Sequence, residues 1–239
     1  MKRSLEGLKA LVTGATGGIG RAIVEAMVEE KITVIATGRD RRKLDELAGK
    51  YPKLSVMQAD LQNEVEINML SENSLKQSGG LDILINNAGV GFNKKVVDLE
   101  PAEFDRVINV NLRAAFLLSR RIGKAMAKRG TGDIINIGSG ASTTPIAGMA
   151  AYCASKHALL GFSESLALEM RSSGVKVSIV MPGSTATHFG GGDPQRRSKV
   201  MPGILMPEDV ADTVMCLLHQ SRRAWTSRVN LRPLNPEKH

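Results

Sequence analysis

Short apolar runs alternate along this chain with longer stretches whose apolar positions recur every three or four residues. The short runs predict strands over residues 9–13, 33–37, 54–58, 81–85, 133–137 and 176–181. The longer stretches predict helices over 21–31, 41–50, 65–77, 101–129, 152–173 and 207–220. Pro101 suits the first turn of its helix, and Gly174 is placed to end the long one. Residues 228–232 read as a last edge strand, and residues 184–203 as a polar, glycine-rich segment. Strands alternate with helices without a linker. That order predicts one α/β domain over residues 1–239, a doubly wound parallel sheet with helices on both faces. Ligands bind such sheets at the carboxyl ends of the strands.

Composition narrows the picture. Hydrophobic residues make up 42% and charged residues 23%, as in a soluble globular protein. No apolar run approaches the roughly 18 residues of a membrane span, and the first residues lack the apolar centre of a signal peptide. Cys153 and Cys216 are the only cysteines. They offer neither a disulfide framework nor a metal cluster, and they point to a reducing cytoplasm. The net charge of +8 raises the question of nucleic acid. The basic residues are dispersed, however, without the interleaved aromatics on which bases stack, so a solvated basic surface is expected and no nucleic-acid partner.

Three stretches carry chemistry. The first is the turn after the first strand, with Gly14, Gly18 and Gly20 in Gly-x-x-x-Gly-x-Gly spacing. Strand, glycine-rich turn and helix form the setting of a dinucleotide loop, whose backbone approaches a pyrophosphate at a helix N-terminus. Gly14, Thr16, Gly18, Ile19 and Gly20 are the residues expected there. The second stretch ends the second strand. NAD-binding units place a carboxylate at that position, whereas an arginine accommodates a 2′-phosphate. Here it is Gly38, followed by Arg39 and Asp40, which predicts NADP(H), provided that Asp40 points to solvent.

The third stretch joins Ser139 to Tyr152 and Lys156. Four residues apart on a helix, Tyr152 and Lys156 share one face. A free tyrosine has a pKa of about 10 and is a poor base near neutrality. A nearby ammonium and the positive end of a helix favour its phenolate, so the pair is expected to lower the tyrosine pKa and to move a proton. Ser139, at the end of the fifth strand, can hydrogen-bond a substrate oxygen.

Together these residues resemble the short-chain dehydrogenase/reductase family, in its form of roughly 250 residues. The motifs are Thr13 to Gly20, Asp60, Asn86 to Gly89, Asn111, Ser139, Tyr152-x-x-x-Lys156 and Pro182-Gly183, in the family's order over nearly the whole chain. The resemblance implies a single Rossmann-type domain and a catalytic tetrad of Asn111, Ser139, Tyr152 and Lys156. It implies that Tyr152 exchanges a proton with the substrate oxygen and Ser139 polarises that oxygen. Lys156 also bonds the nicotinamide ribose, and Asn111 holds a relay water. Asp60 and Leu61 would meet the adenine, with Asn87, Ala88 and Gly89 on the adenosine side. Pro182, Gly183, Thr185 and Thr187 would embrace the nicotinamide, and residues 184–206 would cover a small carbonyl or alcohol substrate. Where many phosphate-selecting members carry a basic residue before the middle glycine, this chain has Gly17, which leaves selectivity to Arg39. The implied assembly is a homotetramer or homodimer through the helices that hold Asn111 and Tyr152. The competing expectation is a non-catalytic, redox-sensing NADP-binding regulator, which would not need the four residues together.

Overall fold

The structure is a computed structural model, described here for residues 3–201 and 203–234; the side chains of Arg197 and Val200 are not described. Seven parallel strands form one sheet in the order β3-β2-β1-β4-β5-β6-β7. They are β1 (Lys9–Thr13), β2 (Thr33–Gly38), β3 (Ser55–Gln58), β4 (Ile83–Asn86), β5 (Gly132–Ile137), β6 (Val175–Pro182) and β7 (Arg228–Leu231). The helices are α1 (Gly18–Glu29), α2 (Arg41–Lys50), α3 (Glu64–Ser78), α4 (Pro101–Ile108), α5 (Ala114–Arg129), α6 (Ala150–Arg171), α7 (Pro194–Val200) and α8 (Pro207–His219). The doubly wound α/β sheet expected from the alternation is therefore present, and β7 is an edge strand parallel to the rest.

The alternation of side chains along each strand splits the core in two. Ala10, Val12, Ile83, Ile85, Ile135 and Ile137 face α1 and α8 in one cluster. Leu11, Leu84 and Ile134 face α3, α5 and α6 in the other. With both faces covered, the central strands must be apolar at nearly every position, which is why the sequence shows runs rather than alternation. Nearly every backbone group between these layers is satisfied by the ladder, so the exposed polar ends of the strands are the places left for ligands.

Three differences from the sequence reading bear on the site. α1 begins at Gly18, three residues before the predicted start, so the glycine-rich turn forms its first turn. The predicted helix over 101–129 is interrupted by a π-helical turn over Asn109–Arg113. Apolar spacing alone does not reveal that widened turn, because both flanking helices keep the same buried face. The polar segment contains a 3₁₀ turn at Phe189–Gly191 and α7, and a bridge between Thr185 and Leu205 pinches its base. Pro202, within the predicted covering segment, lies outside the described residues.

Candidate active site

The glycine turn, Gly38, Asp60, Asn87 to Gly89, Ser139 and Pro182 lie at or just beyond the carboxyl ends of strands, whereas Asn111 lies in the turn between α4 and α5, and Tyr152 and Lys156 lie on α6. After β1 the chain turns at Gly14, whose φ is +64°, a conformation that favours glycine. A Cβ on Gly14 would lie 2.8 Å from the Ala88 Cα, and one on Gly20 would lie 2.2 Å from the Gly14 carbonyl oxygen. Both positions therefore exclude side chains for steric reasons. Thr13 ties this turn to the end of β4: its hydroxyl accepts from the Asn87 and Ala88 amides at 3.0 and 3.1 Å. The Asn87 side chain donates back to the Thr13 and Gly14 carbonyls at 2.9 and 3.2 Å. Gly18 meets Thr187 from the far side of the sheet, so the glycine turn and the β6 loop share a boundary.

The residues present fit a bound dinucleotide phosphate. α1 opens on Gly17 with no side chain capping its first amides and no acidic residue in its first turn. Those amides and the helix dipole are left for an anion. At the end of β2, a Cβ on Gly38 would lie 3.1 Å from the Thr16 side chain, which leaves little room for a carboxylate-bearing residue. Asp40 does not face this position. Its carboxylate accepts from the Lys43 amide at 3.1 Å and caps α2. Capping is the ordinary role of an aspartate just before a helix. Arg39 is exposed and has no carboxylate partner among the described residues.

After β3, the Asp60 carboxylate accepts from the Gln62 amide at 3.0 Å, and its own amide donates to Glu66 at 2.8 Å. Leu61 is 6% exposed and belongs to the core, so only its backbone can meet a ligand. Pro182 ends β6, and Thr185 and Thr187 are buried just beyond it. The Thr185 hydroxyl donates to the Gly183 carbonyl at 3.0 Å.

The polar centre lies between β5 and α6. The Ser139 hydroxyl lies beside that of Tyr152, where it acts to lower the tyrosine pKa. Ser139 also accepts from the Ala141 amide at 3.1 Å as the cap of a 3₁₀ turn, Gly140–Ser142. Lys156 is 3% exposed, and its ammonium donates to the Ile137 carbonyl at 2.7 Å, 5.8 Å from the centre of the Tyr152 ring. A Cβ on Gly89 would lie 3.5 Å from Asn111 Oδ1 and 3.7 Å from Lys156 Nζ, so the four tetrad residues and the end of β4 converge.

One role differs from the sequence reading, the lowering of the Tyr152 pKa by Lys156. Burial pushes the Tyr152 hydroxyl above its ordinary pKa; Ser139 draws it back only in part, and Cys153 adds a smaller upward push. The ammonium expected to lower that value is itself lowered to about 8 by burial. Desolvation of both groups thus outweighs the attraction that four-residue spacing promised. Asn111 sits inside the π turn with its side chain engaged by protein. Its amide nitrogen donates to the Val90 carbonyl at 2.9 Å and to the Ser155 hydroxyl at 3.0 Å. Its oxygen accepts from the Val90 amide at 2.8 Å. It clamps the 90-loop and α6 to the α4–α5 junction, and π turns recur at such functional positions.

Phe189, Gly91 and Ser155 went unrecognised in the sequence. The Phe189 ring lies 5.1 Å from the Tyr152 ring, and a Cβ on Gly91 would touch both. The one available signal was an isolated aromatic in a polar segment. Ser155, three residues after Tyr152, donates to the Tyr152 carbonyl at 2.7 Å. Among the described residues no group of His, Cys, Asp or Glu could hold a metal ion.

The family model for short chain dehydrogenases matches residues 8–197. The chain belongs to that family. It is 39% identical over 180 residues to Nodulation protein G of Rhizobium sp. (strain N33), covering 75% of this chain and 74% of that protein. It is 38% identical over 187 residues to the 3-oxoacyl-(acyl-carrier-protein) reductase FabG of Salmonella typhimurium, covering 77% of this chain and 76% of that one. A crystal structure of a metagenomic short-chain oxidoreductase in complex with NADP superposes with a TM-score of 0.83 at 36% identity, covering 98% of this chain and all of that one. The oxidoreductase class follows from this membership, and among the described residues no helix is long and apolar enough to cross a membrane.

Proposed function

We propose that this short-chain dehydrogenase interconverts a carbonyl and an alcohol with NADP(H), and that Tyr152 exchanges the proton. The observation that carries the reading is the meeting of Ser139 and Tyr152 beside a buried lysine, whose ammonium lies 5.8 Å from the centre of the Tyr152 ring. NADP(H), when bound, supplies or takes up the hydride at the substrate carbon. With its pKa raised, Tyr152 is protonated at neutral pH and gives its proton to the substrate oxygen in the direction of reduction. Ser139 orients that oxygen. Lys156, lowered to about 8, exchanges protons near neutrality far more readily than an ordinary lysine and serves to restore the Tyr152 proton. Asn111 holds the 90-loop and α6 in register.

Gly14, Thr16, Gly18, Ile19 and Gly20 hold the pyrophosphate, and Arg39 meets the 2′-phosphate with a charge-assisted bond. The commitment of Asp40 to capping α2 supports NADP(H) over NAD(H), as does the NADP bound by the metagenomic relative. Asp60, the Leu61 backbone, Asn87, Ala88 and Gly89 line the adenosine side. Pro182, Gly183, Thr185 and Thr187 border the nicotinamide, whose ribose lies against Tyr152 and Lys156. The segment 184–206 covers the substrate, with Phe189 on Tyr152. The resemblance to FabG supports a ketone, an aldehyde or a 3-oxoacyl thioester as substrate. All of this lies in one catalytic domain, in a cytoplasmic protein. Phe116 on α5 and Leu168 on α6 are exposed, 44% and 70%, which supports pairing of copies through these helices into a homotetramer or homodimer. Light scattering that gives 25.7 kDa at micromolar concentration would refute the assembly.

The deciding experiment is a screen of purified protein and NADPH against ketones, aldehydes, 3-oxoacyl thioesters, quinones and sugars, followed by NADPH consumption. Turnover of a carbonyl, lost in Tyr152→Phe, is the expected result. Tight NADPH binding without turnover of any class would replace the enzyme with the redox-sensing regulator.

A further inference from the structure

The carbonyl site has a cation beside it that the reading above does not use. Arg232 follows β7, and a methyl group built on Gly140 would lie 3.3 Å from its Nη1. Gly140 is the residue next to Ser139, and consecutive Cα atoms are about 3.8 Å apart, so the guanidinium lies within one small molecule's length of the serine. The same side chain borders the end of β6: its Cδ lies 3.8 Å from the Cβ position of Gly183. Its backbone is fixed on both sides. Leu231 is in the ladder opposite Pro182, and its carbonyl accepts from the Gly183 amide at 2.8 Å. Pro233 packs on Gly183 and restricts Arg232 to extended backbone.

Among the described residues, the charge on Arg232 is not taken up. Arg222 and Arg228, earlier in the same C-terminal stretch, pair with Asp133 and Glu164. Arg232 is exposed and has no carboxylate partner among the described residues. A guanidinium presents a rigid fork of donors that matches a carboxylate or a phosphate. We propose that Arg232 is the anion anchor of the substrate site, so that the preferred carbonyl substrates carry a carboxylate or phosphate on the side of the carbonyl that faces Gly140. This rests on the reading of Ser139 and Tyr152 as the carbonyl site.

The test uses two matched pairs with NADPH: 3-oxobutanoate against its methyl ester, and dihydroxyacetone phosphate against dihydroxyacetone. The quantity read is the kcat/KM ratio of the anionic to the neutral member, in wild type, Arg232→Gln and Arg232→Lys. A charge-assisted hydrogen bond is worth about ten- to hundredfold in affinity. Arg232→Gln should lower the ratio by that factor in at least one pair, through KM, and Arg232→Lys should restore part of it. The pair that responds tells carboxylate from phosphate. A purely structural role would lower both members together and leave the ratio unmoved. An unmoved ratio in both pairs, or a wild type that favours the neutral member of both, overturns the anchor while the reductase reading stands. If wild type turns over none of the four, their dissociation constants from the NADP⁺ complex are compared instead. An anion preference lost in Arg232→Gln then upholds the anchor and counts against the carbonyl reading alone; equal constants in both proteins overturn the anchor.

Discussion

The two ends of the sheet use charge in opposite ways. At the amino ends of the strands, charges are paired with one another. Asp133, 3% exposed, accepts from Arg3 Nη1 at 2.6 Å and from Arg222 Nη1 at 2.9 Å. Arg129 reaches Asp82 at 3.2 Å, and that carboxylate also accepts from the Lys9 amide at 3.0 Å. Such clusters close the bottom of the fold and tie both terminal segments to it. At the carboxyl ends, Arg39, Lys156 and Arg232 have no carboxylate partner among the described residues. The carboxylates nearby are committed elsewhere: Asp40 caps α2 and Asp60 accepts from Gln62. A cation already matched holds the fold together, and an unmatched one beside a glycine-lined opening is available to a ligand.

Substitutions at the two ends should therefore separate chemistry from stability. The largest effect is expected at the carboxyl end. Tyr152→Phe should lower kcat by about 10²–10⁴-fold, the usual contribution of a general acid–base group. Cofactor affinity and the unfolding midpoint should hardly change. A variant that keeps most of the wild-type kcat, with hydride transfer shown to limit the rate, removes Tyr152 from the mechanism.

Asp133→Ala at the amino end should do the reverse. It leaves two arginines facing each other without their anion, a loss of about 3–5 kcal/mol for a broken buried pair. Urea unfolding should show that loss, while kcat per folded molecule, assayed in the cold, stays as in wild type. A fall in kcat without a fall in stability would mean that the two ends are coupled.

Lys156 lets the comparison be read by pH. Its folded pKa is about 8, below the ordinary 10.5 of the unfolded chain. Between those values the unfolded state binds the proton that the folded state has released, so stability rises with pH across that window. Below about 8 both states are protonated and the burial cost stands in full. Relative to Lys156→Met, the cofactor-free wild type should thus gain up to about 3 kcal/mol as pH rises from about 8 to 10.5. Denaturant curves of both proteins near the two ends of that window check this. A constant difference would show that the ammonium is not desolvated.

The smallest effect concerns Arg39. Arg39→Ala should reduce the preference for NADPH over NADH by about ten- to hundredfold, mostly through KM for NADPH. Equal kcat/KM for the two cofactors in wild type would instead point to Asp40 and overturn its role as a cap alone.

The sequence by itself determined the sheet. Apolar runs between periodic stretches had to become buried parallel strands with helical crossovers, because only that arrangement covers both faces of strands so uniformly apolar. It also determined that the glycine turn, Asn87, Ser139 and Pro182 would stand together at the strand ends, since all of them close such runs. What it left open were matters of direction and distance between segments remote in the chain. Asp40 was equally able to face a ribose or cap α2 until the backbone before Arg41 was placed. The π turn at Asn111 was hidden because a widened turn preserves the buried faces on either side of it. The rise of the Tyr152 pKa required knowing how much protein surrounds it, as did the drop at Lys156, for local spacing speaks only of attraction and burial is a sum over the whole fold. Phe189 on Tyr152 and Arg232 beside Gly140 are the same kind of fact. In these two contacts the fold joins residues 37 and 92 positions apart in the chain, and no local pattern records that meeting.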